Sequence, residues 1–248
     1  MLQVNVLGFS GGLQAIDTGN TSLLVRSGCS SLLIDASGSP VKALLESGAD
    51  PMDLDGLVLT HAHVDHLYAF PSLIHNLWLM KREKPLIVTG NDATLEKAKE
   101  LMALFLLDRK RMMDIIWAPG ADRIGDIEIS SFPLFHRPLV PTSGFVFSSG
   151  KSKVSYFPDS AATPPYPDAA ASSDIVFHEA GGIDDDREKL RNEGHSSGYL
   201  AGDVAASLDA GRLVLVHLPR SGRSEILRDA RRRFERTELA QIGEIYTA

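Results

Sequence analysis

Cysteine is nearly absent from this chain, and so are long apolar runs. Cys29 is the single cysteine in 248 residues, which excludes an internal disulfide and any zinc site built from several cysteines. No stretch approaches the roughly 18 apolar residues of a transmembrane helix, and residues 1–9 lack the charged start and continuous apolar core of a signal peptide. We therefore expect a cytoplasmic protein without a membrane partner.

Positive charge is also scarce. The chain has 25 Lys and Arg against 32 Asp and Glu, a formal net charge of −7. Broad nucleic-acid binding normally rests on an excess of Lys and Arg, so the composition disfavours a nucleic-acid partner without excluding a local basic patch. The best candidate patch is the arginine-rich segment 220–236, whose apolar residues recur at helical spacing and favour a solvated helix face. Arg220 and Arg223 are an exception within this segment. They follow His217 closely in sequence and could contact a phosphate bound near that histidine.

Histidine and aspartate, in contrast, are concentrated at one point. Residues 57–66 read LVLTHAHVDH, an apolar strand that runs into three histidines and an aspartate. Imidazole nitrogens and carboxylate oxygens are ligands of zinc, manganese and iron. His61 and His63, two apart in extended backbone, point to the same side, whereas Asp65 and His66 fall where the next helix begins and can face a second ion. This strand end therefore predicts two adjacent metal sites.

The segment 60–66 (THAHVDH) resembles the signature of the metallo-β-lactamase superfamily, and seven of the eight histidines fall on positions of its motifs. The segment 135–137 (FHR) resembles the third metal motif of that superfamily. The segment 156–160 (YFPDS) resembles the part with a bridging aspartate, and 213–218 (LVLVHL) resembles the last motif, a buried strand that ends in a histidine. The resemblance covers nearly the whole chain and is weakest over residues 80–125.

This resemblance implies a set of seven metal ligands. One ion would be held by His61, His63 and His136, the other by Asp65, His66 and His217, with Asp159 bridging both. The implied cofactors are two divalent metal ions, for which the histidine-rich set favours zinc and also accepts manganese or iron. Two ions about 3.5 to 4 Å apart acidify a shared water and neutralise the oxygens of a phosphate, which suits phosphodiester hydrolysis.

Two further segments indicate a branch of the superfamily. Residues 174–181 (DIVFHEAG) resemble the His-Glu-Ala-Thr segment of the ribonuclease Z-like phosphodiesterases. Residues 194–198 (GHSSG) resemble their His-Ser-Thr segment, although Gly181 and Ser197 replace the threonines of the two segments. Asp35, which ends an apolar run, also resembles this compact phosphodiesterase branch.

The catalytic residues that the resemblance implies are Asp65, Glu179 and His195. Glu179 would orient His195, and a protonated His195 would stabilise charge in the transition state or protonate the leaving oxygen. We expect His178 to tether the fold, and His75, which has no motif partner, to be structural.

The spacing between two motifs bears on the substrate. In tRNA-processing ribonuclease Z, a long arm that grips the tRNA is inserted between the third-motif histidine and the bridging aspartate. Only 22 residues separate His136 from Asp159 here, enough for a hairpin and little else. Together with the acidic net charge, the missing arm favours a small-molecule phosphodiester, cyclic or short and linear, over tRNA.

Alternatives to this substrate remain open. The same fold hosts thioester and lactone hydrolases, non-catalytic ligand-binding members and ribonuclease Z-like RNA processing. The pair Glu179 and His195 counts against a thioester or lactone hydrolase, because the pair resembles the phosphodiester branch. The physiological substrate, the metal and the oligomeric state, including a homodimer, stay open.

Apolar patterns alternate in two runs of strands and helices. The first run has predicted strands at 2–9, 22–26, 31–35, 56–60 and 86–89 and predicted helices at 41–47, 67–80 and 92–107. The second has predicted strands at 127–135, 145–148, 154–157, 175–178 and 213–217, a helix at 197–209, and the arginine-rich helix. Two sheets packed face to face with helices outside satisfy this pattern. We therefore predict one α/β domain over 1–248, the four-layer αβ/βα sandwich of the metallo-β-lactamase fold.

Two loops are candidates for lids over the site. Residues 160–173 follow Asp159 and are expected to lie along the cleft, and residues 181–193 are crowded with charge and lead into His195. Such segments are either solvated connections or gates for a substrate.

Overall fold

The computed structural model describes residues 1–111, 113–137 and 140–248, and its strands form two seven-stranded sheets. The first sheet contains β1 (Gln3–Gly8), β2 (Ser22–Arg26), β3 (Ser31–Ile34), β4 (Gly56–Leu59), β5 (Leu86–Gly90) and β6 (Ile115–Trp117). The second contains β7 (Arg123–Ile124), β8 (Ile127–Arg137), β9 (Val140–Ser149), β10 (Ser152–Phe157), β11 (Ile175–Glu179), β12 (Arg212–Val216) and β13 (Thr237–Leu239). The last strand, β14 (Ile245–Thr247), returns to pair with β1 in the first sheet.

The two sheets have matching topology. In the first, β1, β2 and β3 pair antiparallel and β3 to β6 pair parallel. In the second, β7 to β10 pair antiparallel and β10 to β13 pair parallel. Parallel strands present their carboxyl ends at one edge of a sheet, so the residues after β4, β10, β11 and β12 can meet there.

Seven helices accompany the sheets among the described residues. They are α1 (Pro40–Glu46), α2 (Val64–Leu67), α3 (Phe70–Leu79), α4 (Asp92–Leu104), α5 (Arg187–Glu193), α6 (Gly198–Ser207) and α7 (Arg223–Arg231). Within the described ranges no helix is long and apolar enough to cross a membrane.

The apolar runs of the first sheet are buried on both faces. Val58 of β4 belongs to an apolar cluster shared with the second sheet, whereas its neighbours Leu57 and Leu59 belong to a cluster shared with α1, α3 and α4. The first cluster continues through the second sheet to residues of α6 and α7, such as Val204 and Ile226. Strands covered on both faces are expected to be continuously apolar. The layers therefore run helix, sheet, sheet, helix, and the predicted four-layer α/β sandwich is confirmed.

Several predicted boundaries were wrong. The helix expected at 67–80 is α3, which begins at Phe70 because Pro71 lies in its first turn and a proline there begins a helix. The short helix α2 before it was not predicted. The helix expected at 92–107 ends at Leu104, and the arginine-rich helix spans only Arg223–Arg231. Strands β6, β7, β13 and β14 were missed, since two or three residues carry too little periodicity to recognise.

One of the two candidate lid segments differs in structure from the expectation. Residues 181–193, expected to be a loop, include the helix α5, on which Leu190 is buried. Residues 160–173 begin beside the segments that carry His136 and His195, because Ala161 N donates to Phe135 O and Ala162 N donates to Ser196 Oγ. Tyr166, in the middle of this segment, packs against the apolar cluster that contains Val58.

Candidate metal centre

Four of the predicted site residues follow directly after strand β4. Its residues are buried, and after Leu59 the chain continues extended to His63, whose φ of −70° and ψ of 151° place it at the N-cap of α2. Asp65 and His66 then lie in the first turn of that helix. The switch from extended to helical backbone separates the two pairs of side chains, as the sequence predicts.

The first group of ligand atoms is formed by His61, His63, His136 and Asp159. His61 Nε2 lies 3.1 Å from His63 Nδ1, and His136 Nε2 lies 2.9 Å from the same atom. Asp159 Oδ2 lies 3.8 Å from the Nε2 atoms of both His61 and His136. One ligand atom from each of the four residues lies within 4.8 Å of all the others. These atoms could hold one ion.

The second group is formed by Asp65, His66 and His217, with the other oxygen of Asp159. Asp65 Oδ2 lies 3.7 Å from His66 Nε2 and 3.4 Å from His217 Nε2. Asp159 Oδ1 lies 3.3 Å from His66 Nε2 and 3.2 Å from His217 Nε2. Asp159 therefore directs one oxygen towards each group. The structure brings all seven predicted metal-ligating residues together.

Irregular backbone aims two of these side chains. The pairing of β8 with β9 shifts register between Leu134 and Arg137, and such a bulge re-aims side chains at the end of a strand. Within this irregular stretch His136 is buried and the preceding Phe135 is exposed. His217 follows β12 with a φ of 51°, a left-handed conformation that turns its ring into the cluster.

Hydrogen bonds on the far side of the rings fix their orientation. His66 Nδ1 lies 2.7 Å from Asp35 Oδ2, and Asp35 also accepts from the backbone N–H and hydroxyl of Thr60. His136 Nδ1 lies 2.7 Å from the carbonyl oxygen of Gly194. A carboxylate and a carbonyl cannot donate, so both Nδ1 atoms carry a proton, and in the neutral form of each ring Nε2 presents a lone pair. Metal-ligating histidines are commonly held in this way.

The donor atoms fit a divalent cation. His66 Nε2 and Asp159 Oδ1 are buried 3.3 Å apart, and neither makes a hydrogen bond of good geometry in the described part of the chain. Burial lowers the pKa of His61 well below its ordinary value and the pKa of His136 to about 4, so these imidazoles are neutral and available as ligands. Buried polar atoms without partners are costly, and a cation would satisfy them together.

A carboxylate–histidine pair borders this cluster. Glu179 ends β11 fully buried and accepts from the backbone N–H groups of Ser160 at 3.1 Å and Ser196 at 2.8 Å. The same oxygen lies 3.2 Å from His195 Nδ1. Burial opposes protonation of His195, but the Glu179 carboxylate outweighs it and raises the pKa of His195 to about 9. The His195 ring stacks on His217, with centroids 5.7 Å apart and planes 12° apart, and its side chain is 20% exposed.

Other residues singled out from the sequence lie apart from this cluster. His178 is buried, stacks on Phe157 with planes 10° apart, and directs Nδ1 to the carbonyl oxygen of Glu179, as expected of a structural residue. His75 lies on α3 beside Trp78. The two arginines after His217 differ: Arg220 is exposed, and Arg223 packs over the Phe9 ring and donates to the carbonyl oxygen of Pro219.

The role of Gly194 was missed by sequence reasoning. It follows α5 with a φ of 80°, and a Cβ there would overlap the carbonyl oxygen of His136. The signal was a glycine at the end of a helix and directly before a predicted site histidine, which is typical of a left-handed C-cap.

Comparison with known proteins gives consistent results. A family model described as a β-lactamase superfamily domain matches residues 31–218. Ribonuclease Z of Bradyrhizobium diazoefficiens is 25% identical over 296 aligned positions, which cover 97% of each chain. The crystal structure of the metallo-β-lactamase fold protein YhfI from Bacillus subtilis has a TM-score of 0.85 at 23% identity and covers 99% of this chain and 98% of that one. A diphosphatase of the PhnP family has a TM-score of 0.76 at 16% identity, covering 100% and 98%. At these identities the two structures indicate a shared fold.

Proposed function

This chain belongs to the β-lactamase superfamily, and from that premise we propose that it is a metal-dependent phosphodiesterase of small or cyclic phosphodiesters. The membership confirms the family predicted from the segment 60–66, and with it the prediction of a hydrolase. The proposal adds the number of ions, the type of bond cleaved and the roles of individual residues.

The proposal rests chiefly on one observation, the position of the Glu179 and His195 pair beside the ligand cluster. Ligand atoms of His195, His217 and Asp159 lie within 4.8 Å of one another. A phosphate bound at the cluster would therefore lie within reach of a histidine that a buried carboxylate keeps protonated. Positive charge placed where a leaving oxygen develops negative charge is an effective device for phosphoryl chemistry.

The residues divide the chemistry among them. Two divalent ions held by the seven ligands, with zinc favoured, would lower the pKa of a water and neutralise the phosphate oxygens. Asp65, which is 15% exposed, lies on the open side of the cluster, where it can orient an attacking water. Glu179 holds His195 Nδ1, so that His195 Nε2 is left to stabilise charge on the phosphate or to give its proton to the leaving oxygen.

The segment between His136 and Asp159 bears on the class of substrate. Strands β9 and β10 occupy 10 and 6 of the intervening residues, which leaves no segment long enough for a tRNA-gripping arm. The net charge of −7 also disfavours a large polyanion. Both features favour a small phosphodiester.

RNA processing is the second candidate. The relative named ribonuclease Z aligns with this chain over 97% of each protein, so the likeness is not confined to the metal motifs. A thioester or lactone hydrolase is a weaker alternative, because the Glu179 and His195 pair resembles that of the phosphodiester branch.

Turnover of model substrates tests the proposal. We expect hydrolysis of bis(p-nitrophenyl) phosphate and of cyclic nucleotides by the metal-loaded enzyme, lost in Asp65→Ala and reduced about 10²- to 10⁴-fold in kcat in His195→Ala. His75→Ala removes a histidine outside the cluster and should leave kcat unchanged.

Two results would contradict the proposal. Faster cleavage of a precursor tRNA than of any small diester would favour the second candidate. Turnover of thioesters or lactones with inert phosphodiesters would exclude both.

A further inference from the structure

We propose that His195 is an alternative ligand for the second cation, which would exchange Asp65 and His66 for His195 while keeping His217 and Asp159. The inference rests on the proposed two-ion function. Two three-residue groups share His217: Asp65, His66 and His217 form one, and Asp159, His195 and His217 form the other. In each group the ligand atoms lie within 4.8 Å of one another.

His195 is held as a ligand histidine would be. Its Nδ1 lies 3.2 Å from Glu179 Oε1, just as the Nδ1 of His66 lies 2.7 Å from Asp35 Oδ2. In both pairs a buried carboxylate accepts from Nδ1 and leaves Nε2 for another partner. A carboxylate behind a histidine fixes the ring and raises its basicity as a ligand. The same device therefore supports both histidines.

The ring positions allow the exchange. The His195 ring is 4.9 Å from that of His136 and 5.7 Å from that of His217, so it faces the cluster. Asp65 and His195 are the more exposed members of the two groups, at 15% and 20%, whereas the side chains of His66 and Asp159 are 0% and 3% exposed. Asp65 and His195 are thus the members of the two groups that lie nearer to solvent.

The exchange would have a functional consequence. A cation bound to His195 Nε2 occupies the atom that the proposed reaction needs as proton donor. His195 would therefore have two roles. It would assist the reaction when it is not a ligand, and it would hold the enzyme in an inactive form when it binds the cation. Excess zinc should favour the inactive form.

Metal stoichiometry tests the inference without reference to activity. Bound zinc and the visible spectrum of bound cobalt are measured after equilibrium dialysis for the wild type, Asp65→Ala, His195→Gln, and the double variant Asp65→Ala/His195→Gln. We expect the wild type, Asp65→Ala and His195→Gln to keep two ions, with a changed cobalt spectrum in Asp65→Ala. The double variant should bind the second ion at least about tenfold more weakly than Asp65→Ala. Asp65→Ala/His75→Gln is the matched control and should resemble Asp65→Ala.

The possible results separate the inference from the proposed function. Loss of the second ion in Asp65→Ala alone, or equal affinity in Asp65→Ala and the double variant, would overturn the role of His195. A wild type that binds fewer than two ions would instead overturn the two-ion function itself.

Discussion

Gly194 lies where the chain after α5 meets the backbone of a predicted ligand. The carbonyl oxygen of Gly194 accepts from His136 Nδ1, and a Cβ added at Gly194 would overlap the carbonyl oxygen of His136. Its φ of 80° also disfavours any L side chain. Glycine at this position therefore serves both backbone geometry and ligand orientation.

We predict that Gly194→Ala displaces His136 and weakens binding of zinc about 10- to 100-fold, measured by competition with a chromophoric chelator. Gly150→Ala is the matched control, because Gly150 has a φ of 62° and nothing within 4 Å of an added Cβ. The control should lose about 1 to 2 kcal/mol of unfolding free energy and no zinc affinity. Equal zinc affinity in the two variants would contradict the role assigned to Gly194.

His178 leads to a prediction about pH. Burial lowers the pKa of His178 below 6.5, the value expected in the unfolded chain. The unfolded state therefore binds the proton more readily, so the stability associated with His178 is complete above about pH 6.5 and is lost as the pH falls below it. His178→Phe keeps an aromatic ring against Phe157 and removes the titration. The unfolding free energy of the wild type minus that of the variant should fall by up to about 1.4 kcal/mol per pH unit below pH 6.5.

Denaturant unfolding of metal-free protein between pH 7.5 and 5.5 measures this difference. The ligand histidines titrate in both proteins, so their contribution cancels. A difference that does not change with pH would show that His178 is not forced to be neutral by burial.

Arg82 shows how a single side chain joins several elements. It follows α3 and is 3% exposed. Its guanidinium donates to the backbone carbonyl oxygens of Pro51, Met52, Leu54, Lys84 and Pro85. These residues precede β4 and β5, so Arg82 anchors the amino-terminal ends of two parallel strands whose carboxyl ends lead towards the metal centre.

We predict that Arg82→Lys lowers the unfolding free energy by about 2 to 4 kcal/mol, measured by urea titration. A lysine ammonium cannot reach five carbonyl groups in a fixed plane, and buried carbonyl groups without donors are costly. Arg109→Lys, at an exposed position, should be nearly neutral. Because Arg82 lies at the opposite edge of the sheet from the metal centre, kcat of the folded enzyme should not change. A variant as stable as the wild type would show that these bonds contribute little.

The seven ligands come from both sheets of the molecule. His61, His63, Asp65 and His66 follow β4 of the first sheet, whereas His136, Asp159 and His217 belong to or follow strands of the second. Bound ions would therefore cross-link the two sheets, which enclose the apolar cluster that contains Val58.

We predict that chelation lowers the melting temperature, because a ligand that binds only the folded state adds about 2.7 kcal/mol when present at 100 times its Kd. Calorimetry before and after removal of metal, and after zinc is restored, measures the effect. Asp159→Ala removes the residue between the two groups and should lose most of the zinc-dependent shift. An unchanged melting temperature in the chelated wild type would contradict cross-linking by metal.

Much of this architecture could be predicted from short-range pattern. The apolar runs of β2, β3 and β4 and the helical spacing of α4 and α6 identify these elements to within a few residues, because each is buried along its length or on one face. The short helix α2 and the short strands could not be located, since packing on distant elements decides them.

The metal centre, like the fold, could be predicted from the sequence only in part. The chain from Thr60 to His66 by itself determined a cluster of donors, because a strand end and a helix start set the directions of His61, His63, Asp65 and His66. Only the tertiary structure decided that Gly194 holds His136 and that His195 shares His217 with the second group. The first pair lies 58 positions apart in the sequence, and His195 lies 22 positions before His217. Their physical cause is the convergence of strand ends from two packed sheets, which no local pattern encodes.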